Sequence, residues 1–215
     1  MSKMEKVVLI GGGGHAKVVI DTIRSTSSFE IAGIIDEQLP IGSKVEEVPV
    51  IGKDQDLQKL FENGIDKAFV AIGSLGSSKN RKKLVQSLEE IGFDFPSIVH
   101  NSAYMAPSVN LGKGVFVAAG TVLQSGTVVG DHAIINTRSS IDHDCQIGSF
   151  THIAPGCVLS GGVTVGDDSH LGTGSVAIEY RKIGQNCLIG AGSVVVNDLP
   201  DGCKAFGNPC KIQSS

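Results

Sequence analysis

Every sixth residue from Leu111 to Val195 is aliphatic: Leu111, Val117, Leu123, Val129, Ile135, Ile141, Ile147, Ile153, Leu159, Val165, Leu171, Ala177, Ile183, Ile189 and Val195. Two residues before most of these stands a small side chain, as at Thr121, Thr127, Ser139, Cys145, Thr151, Cys157, Ser169 and Cys187. One residue after, glycine or another small or turn-forming residue dominates, as at Gly112, Gly130, Asn136, Gly148, Gly166, Gly172, Gly184 and Gly190. A six-residue period fits neither an α-helix nor a heptad, and glycine interrupts the β-like runs too often for a flat sheet. The chain must turn every six residues. Three hexads then make one triangular coil whose aliphatics meet on the axis, and successive coils stack about 4.8 Å apart by parallel backbone hydrogen bonding. The expectation for residues 99–215 is a β-helical prism.

Composition agrees with close backbone stacking. Glycine supplies 28 of 215 residues, while aromatics supply 5% and tryptophan none. With 18 basic and 22 acidic side chains the net charge is −4, and no basic cluster is interleaved with aromatics, so a nucleic-acid surface has no support. Val7 to Ile10 is too short an apolar run for a signal-peptide core or a membrane span, which leads to the expectation of a cytoplasmic protein that does not insert in membranes. Five cysteines are an odd number. Cys145, Cys157 and Cys187 fall on small-residue positions of the hexads and read as buried, reduced thiols, while Cys203 and Cys210 match no metal spacing.

Residues 1–98 have a different pattern. Lys6 to Ile10 reads as a buried strand, Gly11 to Gly14 as a tight loop, and His15 to about Ser25 as a helix with Val18, Val19 and Ile23 inward. Strands are expected at Ile31–Ile35 and Lys67–Ile72, helices at Asp54–Asn63 and Ser77–Ile91, and an edge or linking strand at Phe95–Val99. Alternating β and α elements imply a parallel, Rossmann-like sheet. Gly11-x-Gly13-x-x-Ala16 after the first strand, with Asp36 twenty positions beyond Ala16, satisfies the dinucleotide fingerprint. Its glycines admit a phosphate to a helix N-terminus and its carboxylate accepts hydrogen bonds from ribose or base. A structural tight turn is the plainer alternative. About 95 residues leave no room for a second mononucleotide-binding half, which favours a nucleotide sugar over a dinucleotide.

The GGGGHAKVV loop, the IIDE and AIGS strand ends, the NRKKL run and the hexads together resemble the NeuD/PglD-type sugar O- and N-acetyltransferases, over essentially the whole chain. These are hexapeptide-repeat enzymes with a left-handed parallel β-helix, and the handedness comes from the resemblance alone. It implies a homotrimer, acetyl-CoA as acyl donor lying between neighbouring prisms, and no metal. It further implies Gly13, His15, Asp36, Gly73 and Arg81 as contacts to the nucleotide sugar.

The family's catalytic segment is matched by Asn136-Thr137-Arg138-Ser139, His143-Asp144-Cys145, Ile147-Gly148 and His152, with one residue more before the second histidine than the compact pattern. Arg138 is larger and more charged than that run favours, and Asp144 stands where some members carry glutamate. The resemblance implies His143 as general base, with Asp144, or else Asp142, orienting its ring. His143 lies two residues beyond inward Ile141 and so belongs near a prism edge; a solvated turn histidine is the alternative. Adjacent strand residues point oppositely, so the His143–Asp144 pair requires a corner conformation.

His152 matches a position that helps bind the thioester. His152 and His170, eighteen residues apart, should stack on adjacent coils. His170 and His132 read as satisfying loop hydrogen bonds, and Asn136 as a substrate contact or a turn former. Gly172, Gly174, Gly190 and Gly192 read as giving the pantetheine arm access to backbone, or as turn glycines. Phe206 to Lys211 resembles the family's ending, which implies Lys211 as a contact to the CoA phosphates, against an ordinary solvated lysine.

The function expected is acetyl-CoA-dependent N-acetylation of a UDP-4-amino-sugar. O-acetylation of a sialic-acid-like sugar needs the same base. Two other classes compete: a γ-class carbonic anhydrase using prism histidines on zinc, against which the absence of a close H-x4-H pair and the presence of a nucleotide domain speak, and a non-enzymatic nucleotide-binding trimer.

Overall fold

The computed structural model describes residues 4–74 and 77–213. Contacts divide the chain into two compact units, Met1–Gly73 with Lys79–Ile98, and Ser74–Ser78 with Val99–Ser215.

The first unit is an α/β sheet. Strands β1 (Lys6–Ile10), β2 (Glu30–Ile35), β3 (Lys44–Val45), β4 (Val48–Gly52) and β5 (Lys67–Val70) stand in the order β3-β4-β2-β1-β5, all pairs parallel except β3 with β4. Helix α1 (Gly14–Thr26) buries Ala16, Val19, Ile20, Thr22 and Ile23. Val18, expected inward, is 39% exposed: at 100° per residue it lies opposite Ala16, and Ile20 takes its place. The expected helix from Asp54 is a 3-10 turn at Asp54–Asp56 followed by α2 (Leu57–Glu62), and the last helix, α3, spans Lys79–Ile91. The β3–β4 hairpin was not anticipated. Its two-residue turn is Glu46-Glu47, both with positive φ (46° and 63°), without the asparagine or glycine that marks such turns in a sequence. Because β1 is flanked by β2 on one side and β5 on the other, the crevice at its carboxyl end is a topological switch point, where open α/β sheets bind ligands.

The second unit is a three-sided parallel β-helix. Its first face carries eight strands from Ile98–Val99 to Lys211–Ile212, the last of them antiparallel to Lys204–Phe206, its second six from Tyr104–Met105 to Val194–Val195, and its third five from Asn110–Leu111 to Lys182–Ile183. Strands pair in register at eighteen residues, Ser140 with Val158 and Ile141 with Leu159, for example. The hexad aliphatics from Val117 onward are at most 3% exposed and fill the axis. The small residues two positions earlier are buried polar groups that bind the next coil: Thr127 Oγ1 donates to Asp142 O (2.9 Å), Ser139 Oγ to Ala154 O (3.0 Å) and Thr151 Oγ1 to Gly166 O (3.0 Å). Cys145 and Cys157 make the same contact through sulfur, to Ser160 O and Gly172 O. Serine, threonine and cysteine interchange there because each is small and donates one hydrogen. All five cysteines are buried and free, and burial pushes the Cys145 thiol up to about 11.

The corners turn through one left-handed residue three positions after each inward aliphatic from Leu111 to Ile189. On the first–second corner these are Gly120, Arg138, Gly156, Gly174 and Gly192; on the second–third corner, Gly126, Asp144, Gly162 and Tyr180. The glycines directly after the aliphatics do something else. A Cβ on Gly172 would stand 2.5 Å from Ala191 N, and one on Gly190 would run into the Phe206 ring, so both make room for the next layer of chain.

Candidate functional site

In the first unit a cleft of about 320 Å³ opens at the switch point. It is lined by Gly11, Gly13 and Gly14 of the loop, His15 at the start of α1, Asp36 to Gln38 after β2, Asp54, and Gly73 after β5. Gly13 caps α1 with nothing within 4 Å of where its Cβ would be, leaving the helix N-terminus open to a phosphate. Asp36 holds the cleft together: Oδ2 accepts from Gly12 N (2.7 Å), and Oδ1 accepts from Gln38 N (2.8 Å) and Leu39 N (2.9 Å). Burial raises its carboxyl, but the backbone donors of Leu39, Gly12 and Gln38, with the Lys53 charge, outweigh this and hold it below the usual range.

Four of the five residues expected here line the cleft. Arg81 does not: it is 2% exposed, and burial lowers its guanidinium to about 10. A helix-face arginine reads in sequence as a solvated or ligand-binding cation, and nothing in the local pattern marks its burial. Three residues of the cleft and its rim were missed. Lys53 Nζ donates to the carbonyls of Asp36, Glu37 and Leu39 (2.7–2.9 Å) and so fixes the loop after β2. Glu37 Oε1 accepts from Asp54 N (2.8 Å), and burial, with Glu37 and then Asp36 nearby, raises the Asp54 carboxyl. Glu37 was within reach of sequence reading, since it adjoins Asp36. Lys53 and Asp54 were not, because they arrive through the unforeseen hairpin.

In the prism, His143 sits on the second–third corner with its side chain 53% exposed. The left-handed conformation of Asp144 (φ 59°) supplies the corner that the pair requires: Asp144 Oδ2 lies 2.9 Å from His143 Nδ1, while His143 N donates to Asp142 Oδ1 at 3.0 Å. With Nδ1–H directed at the carboxylate, Nε2 keeps its lone pair. The hydrogen bond to Asp144 raises the imidazole pKa, desolvation opposes it, and the charges of Asp142 and Asp144 add to the rise. The ring lies over Gly161, one coil on. A Cβ there would stand 2.5 Å from both Nε2 and Cε1, so only glycine leaves this ring its place. Gly161→Ala is therefore expected to displace the imidazole rather than unfold the chain, lowering kcat by about 10-fold or more with little change in Tm; kinetics and thermal melts check it.

His152 is placed differently from the expectation. It is 8% exposed, with Nδ1 2.8 Å from Ser74 O and Nε2 3.2 Å from Asn136 Nδ2. Because Ser74 O only accepts, Nδ1 carries the proton. Asn136 Oδ1 accepts from Thr137 N (2.8 Å), which turns its amide nitrogen toward Nε2. Both ring nitrogens, and the Asn136 side chain expected to meet substrate, are thus engaged within the chain. His152 and His170 are 4.8 Å apart but meet edge to face at 89°, not stacked. His170 Nδ1 is buried with no hydrogen-bond partner among the described residues, contrary to the expected loop hydrogen bonding, and burial holds this imidazole below its usual pKa. His132 stacks on Phe150 at 4.9 Å.

Gly174 and Gly192 stand on the first–second corner with nothing within 4 Å of their Cβ positions, unlike Gly172 and Gly190. Lys211, exposed, follows Cys210, whose N donates to Val194 O (2.7 Å) on the last second-face strand. No cluster of three or more metal-ligating side chains occurs among the described residues, and no helix there is long and apolar enough to cross a membrane.

Comparison with known proteins agrees with both halves. Residues 6–88 match the PglD N-terminal domain, 126–161 and 144–178 the bacterial transferase hexapeptide (six repeats), and 182–204 the hexapeptide repeat of succinyl-transferase. Curated relatives include the UDP-N-acetylbacillosamine N-acetyltransferase of Bacillus subtilis, 33% identical over 54% of this chain and 52% of that enzyme. The chain spans between 24% and 64% of the length of such relatives. Among solved structures, a single-residue variant of perosamine N-acetyltransferase from Caulobacter crescentus, in complex with CoA and GDP-perosamine, is 42% identical with a TM-score of 0.92 over 99% of both chains. The acetyltransferase domain of PglB from Neisseria gonorrhoeae, in complex with acetyl coenzyme A, is 33% identical with a TM-score of 0.86 over 98% of this chain and 100% of that one. The glycine-loop cleft, the hexad prism and these whole-length likenesses have one explanation: the chain belongs to the NeuD/PglD-type sugar acetyltransferase family.

Proposed function

We propose that this protein transfers the acetyl group of acetyl-CoA to the amino group of a nucleotide-linked amino sugar, working as a homotrimer of left-handed prisms. Residues 1–98 hold the nucleotide, with Gly13, His15, Asp36 and Gly73 in contact with it, and residues 99–215 carry the transfer. The observation that carries the reading is the exposed His143, oriented by Asp144 and cradled by Gly161. The sugar amine attacks the thioester carbonyl, forming the N–C bond; His143 Nε2 takes the amine proton; the C–S bond then breaks and the departing sulfur receives that proton from the imidazolium, leaving CoA thiol and a neutral His143. Gly174, Gly192 and Lys211 flank the path of the donor. His152 acts at one remove, by holding Asn136 and Ser74.

The acceptor's nucleotide is taken more broadly than the sequence suggested. The Caulobacter enzyme, alike over its whole length, was crystallised with a GDP-sugar, whereas the Bacillus enzyme, alike over about half, is named for a UDP-sugar. Thiol release from acetyl-CoA should be measured with UDP- and GDP-linked 4-amino sugars and with sialic acids. Turnover confined to sialic acids would replace N-acetylation by the O-acetylation alternative.

The trimer is supported by the prism's second face. Outward side chains there are Tyr104, Val122, Ser140, Val158, Val176 and Val194, with Tyr104 and Val158 54% and 41% exposed. The third face instead presents Asn110, Val128, Gln146, Thr164 and Lys182. An apolar flank left partly exposed, next to a more polar third face, is a surface for a second copy.

Asp144→Asn tests the pair by its pH dependence. A base must be neutral to act, so kcat/KM falls as pH drops through the raised pKa of His143. Removing the carboxylate lowers that pKa and moves the acid limb of the pH profile to lower pH. The difference from wild type cancels the substrate amine's own titration, and an unmoved limb would count against the pair.

A further inference from the structure

Arg138 is the one residue other than glycine among the left-handed positions of the first–second corner, where Gly120, Gly156, Gly174 and Gly192 hold the equivalent places. It is exposed, and among the described residues its guanidinium has neither a hydrogen-bond nor an ion-pair partner. Arg181, on the edge that bears His143 but two coils further on, is already tied to Asp198 at 3.6 Å. The His143 edge is acidic: Asp142 and Asp144 flank the ring and both are exposed. A nucleoside diphosphate brought there meets two carboxylates, so it needs a counter-charge that this edge does not itself provide.

Threefold symmetry delivers one. If the apolar second face turns toward the axis, rotation by a third of a turn sets the first–second corner of one copy against the second–third corner of the next. Arg138 and the His143–Asp144 pair bound the same strand, Ser140–Ile141, and so stand within a fraction of one coil, itself about 4.8 Å high. Symmetry therefore places the Arg138 of one protomer opposite the His143 of its neighbour. Beyond Arg138 the corner is bare at Gly156, Gly174 and Gly192, which leaves the seam clear for an extended donor.

We infer that Arg138 reaches across the seam and binds the diphosphate of the nucleotide sugar whose amine is presented to the neighbouring protomer's His143. The planar guanidinium suits paired phosphate oxygens, as a lysine ammonium does not. This inference rests on the trimeric, nucleotide-sugar reading above.

The test uses Arg138→Gly, which keeps the backbone this column favours, with Arg138→Lys beside it. Arg138→Gly should remain trimeric and raise KM for the nucleotide sugar about 10-fold or more, with KM for acetyl-CoA unchanged and Arg138→Lys restoring only part of the loss. Co-expressing Arg138→Gly with His143→Ala under two affinity tags then asks which protomer supplies each group. At nucleotide-sugar concentrations well below the raised KM, shared sites predict that purified mixed trimers recover activity toward about a third of wild type, since one seam of the three in every mixed trimer carries both groups. No recovery in verified mixed trimers would overturn the cross-seam role. A rise confined to KM for acetyl-CoA, or a shifted pH profile with unchanged KM, would also overturn it, assigning Arg138 to the donor or to the Asp142 and Asp144 carboxylates. A wild-type chain that sediments as an active monomer would instead overturn the trimer itself.

Discussion

Replacing His143 by alanine is expected to lower kcat by about 100-fold or more while acetyl-CoA binding stays within about twofold. The ring is half exposed and fills no core, so its loss leaves the prism intact and the melting temperature should scarcely move. What disappears is the Nε2 aimed by Asp144 and given room by Gly161, which in the proposed reaction accepts the amine proton as the N–C bond forms. Steady-state kinetics with titration calorimetry for acetyl-CoA separate the two effects. A loss of less than about 10-fold would mean that the amine proton leaves by another route, and the base would have to be sought elsewhere.

Val158→Arg combined with Val176→Arg is expected to convert the proposed trimer to monomers and to abolish turnover, by at least about 100-fold, without unfolding either unit. Both side chains point outward from the second face, so arginine there is harmless to an isolated prism. In the assembly each would bury an unpaired charge against its neighbours, a cost of several kcal/mol that no contact on this apolar strip offsets. Sedimentation gives the oligomeric state and circular dichroism the fold. Retained activity in a monomer would show that one prism edge suffices.

The prism was legible because its period is global: each coil repeats the same demand for an aliphatic, a small donor and a turn, so errors at single positions cancel. His143 and Asp144 were legible for the same reason, since counting from Ile141 puts them on a corner. The amino-terminal cleft was legible at the glycine loop and Asp36, where the sequence is local. It failed at Lys53, which closes the cleft through three carbonyls 14 to 17 residues away, and at Arg81, whose burial depends on tertiary packing. His152 and Asn136 were recognised as important, yet their mutual hydrogen bond and the tie to Ser74, 78 residues earlier, follow from coil stacking and no spacing announces them. The glycines directly after the aliphatics were read as turn or ligand positions; that Gly172 and Gly190 clear the next layer of chain was not legible, because stacking clearance and turn geometry select the same residue.

Eighteen-residue pairing also fixes how this protein can change length. His143 depends on Gly161 only because one full circuit separates them, so a single inserted residue anywhere between would shear every ladder downstream and bring a side chain beneath the imidazole. A whole circuit added past Val195 would disturb none of these vertical alignments. Such a chain is thus free to grow or shrink by complete storeys, lengthening the wall along which the proposed thioester donor would lie, while the floor that holds the histidine stays as it is.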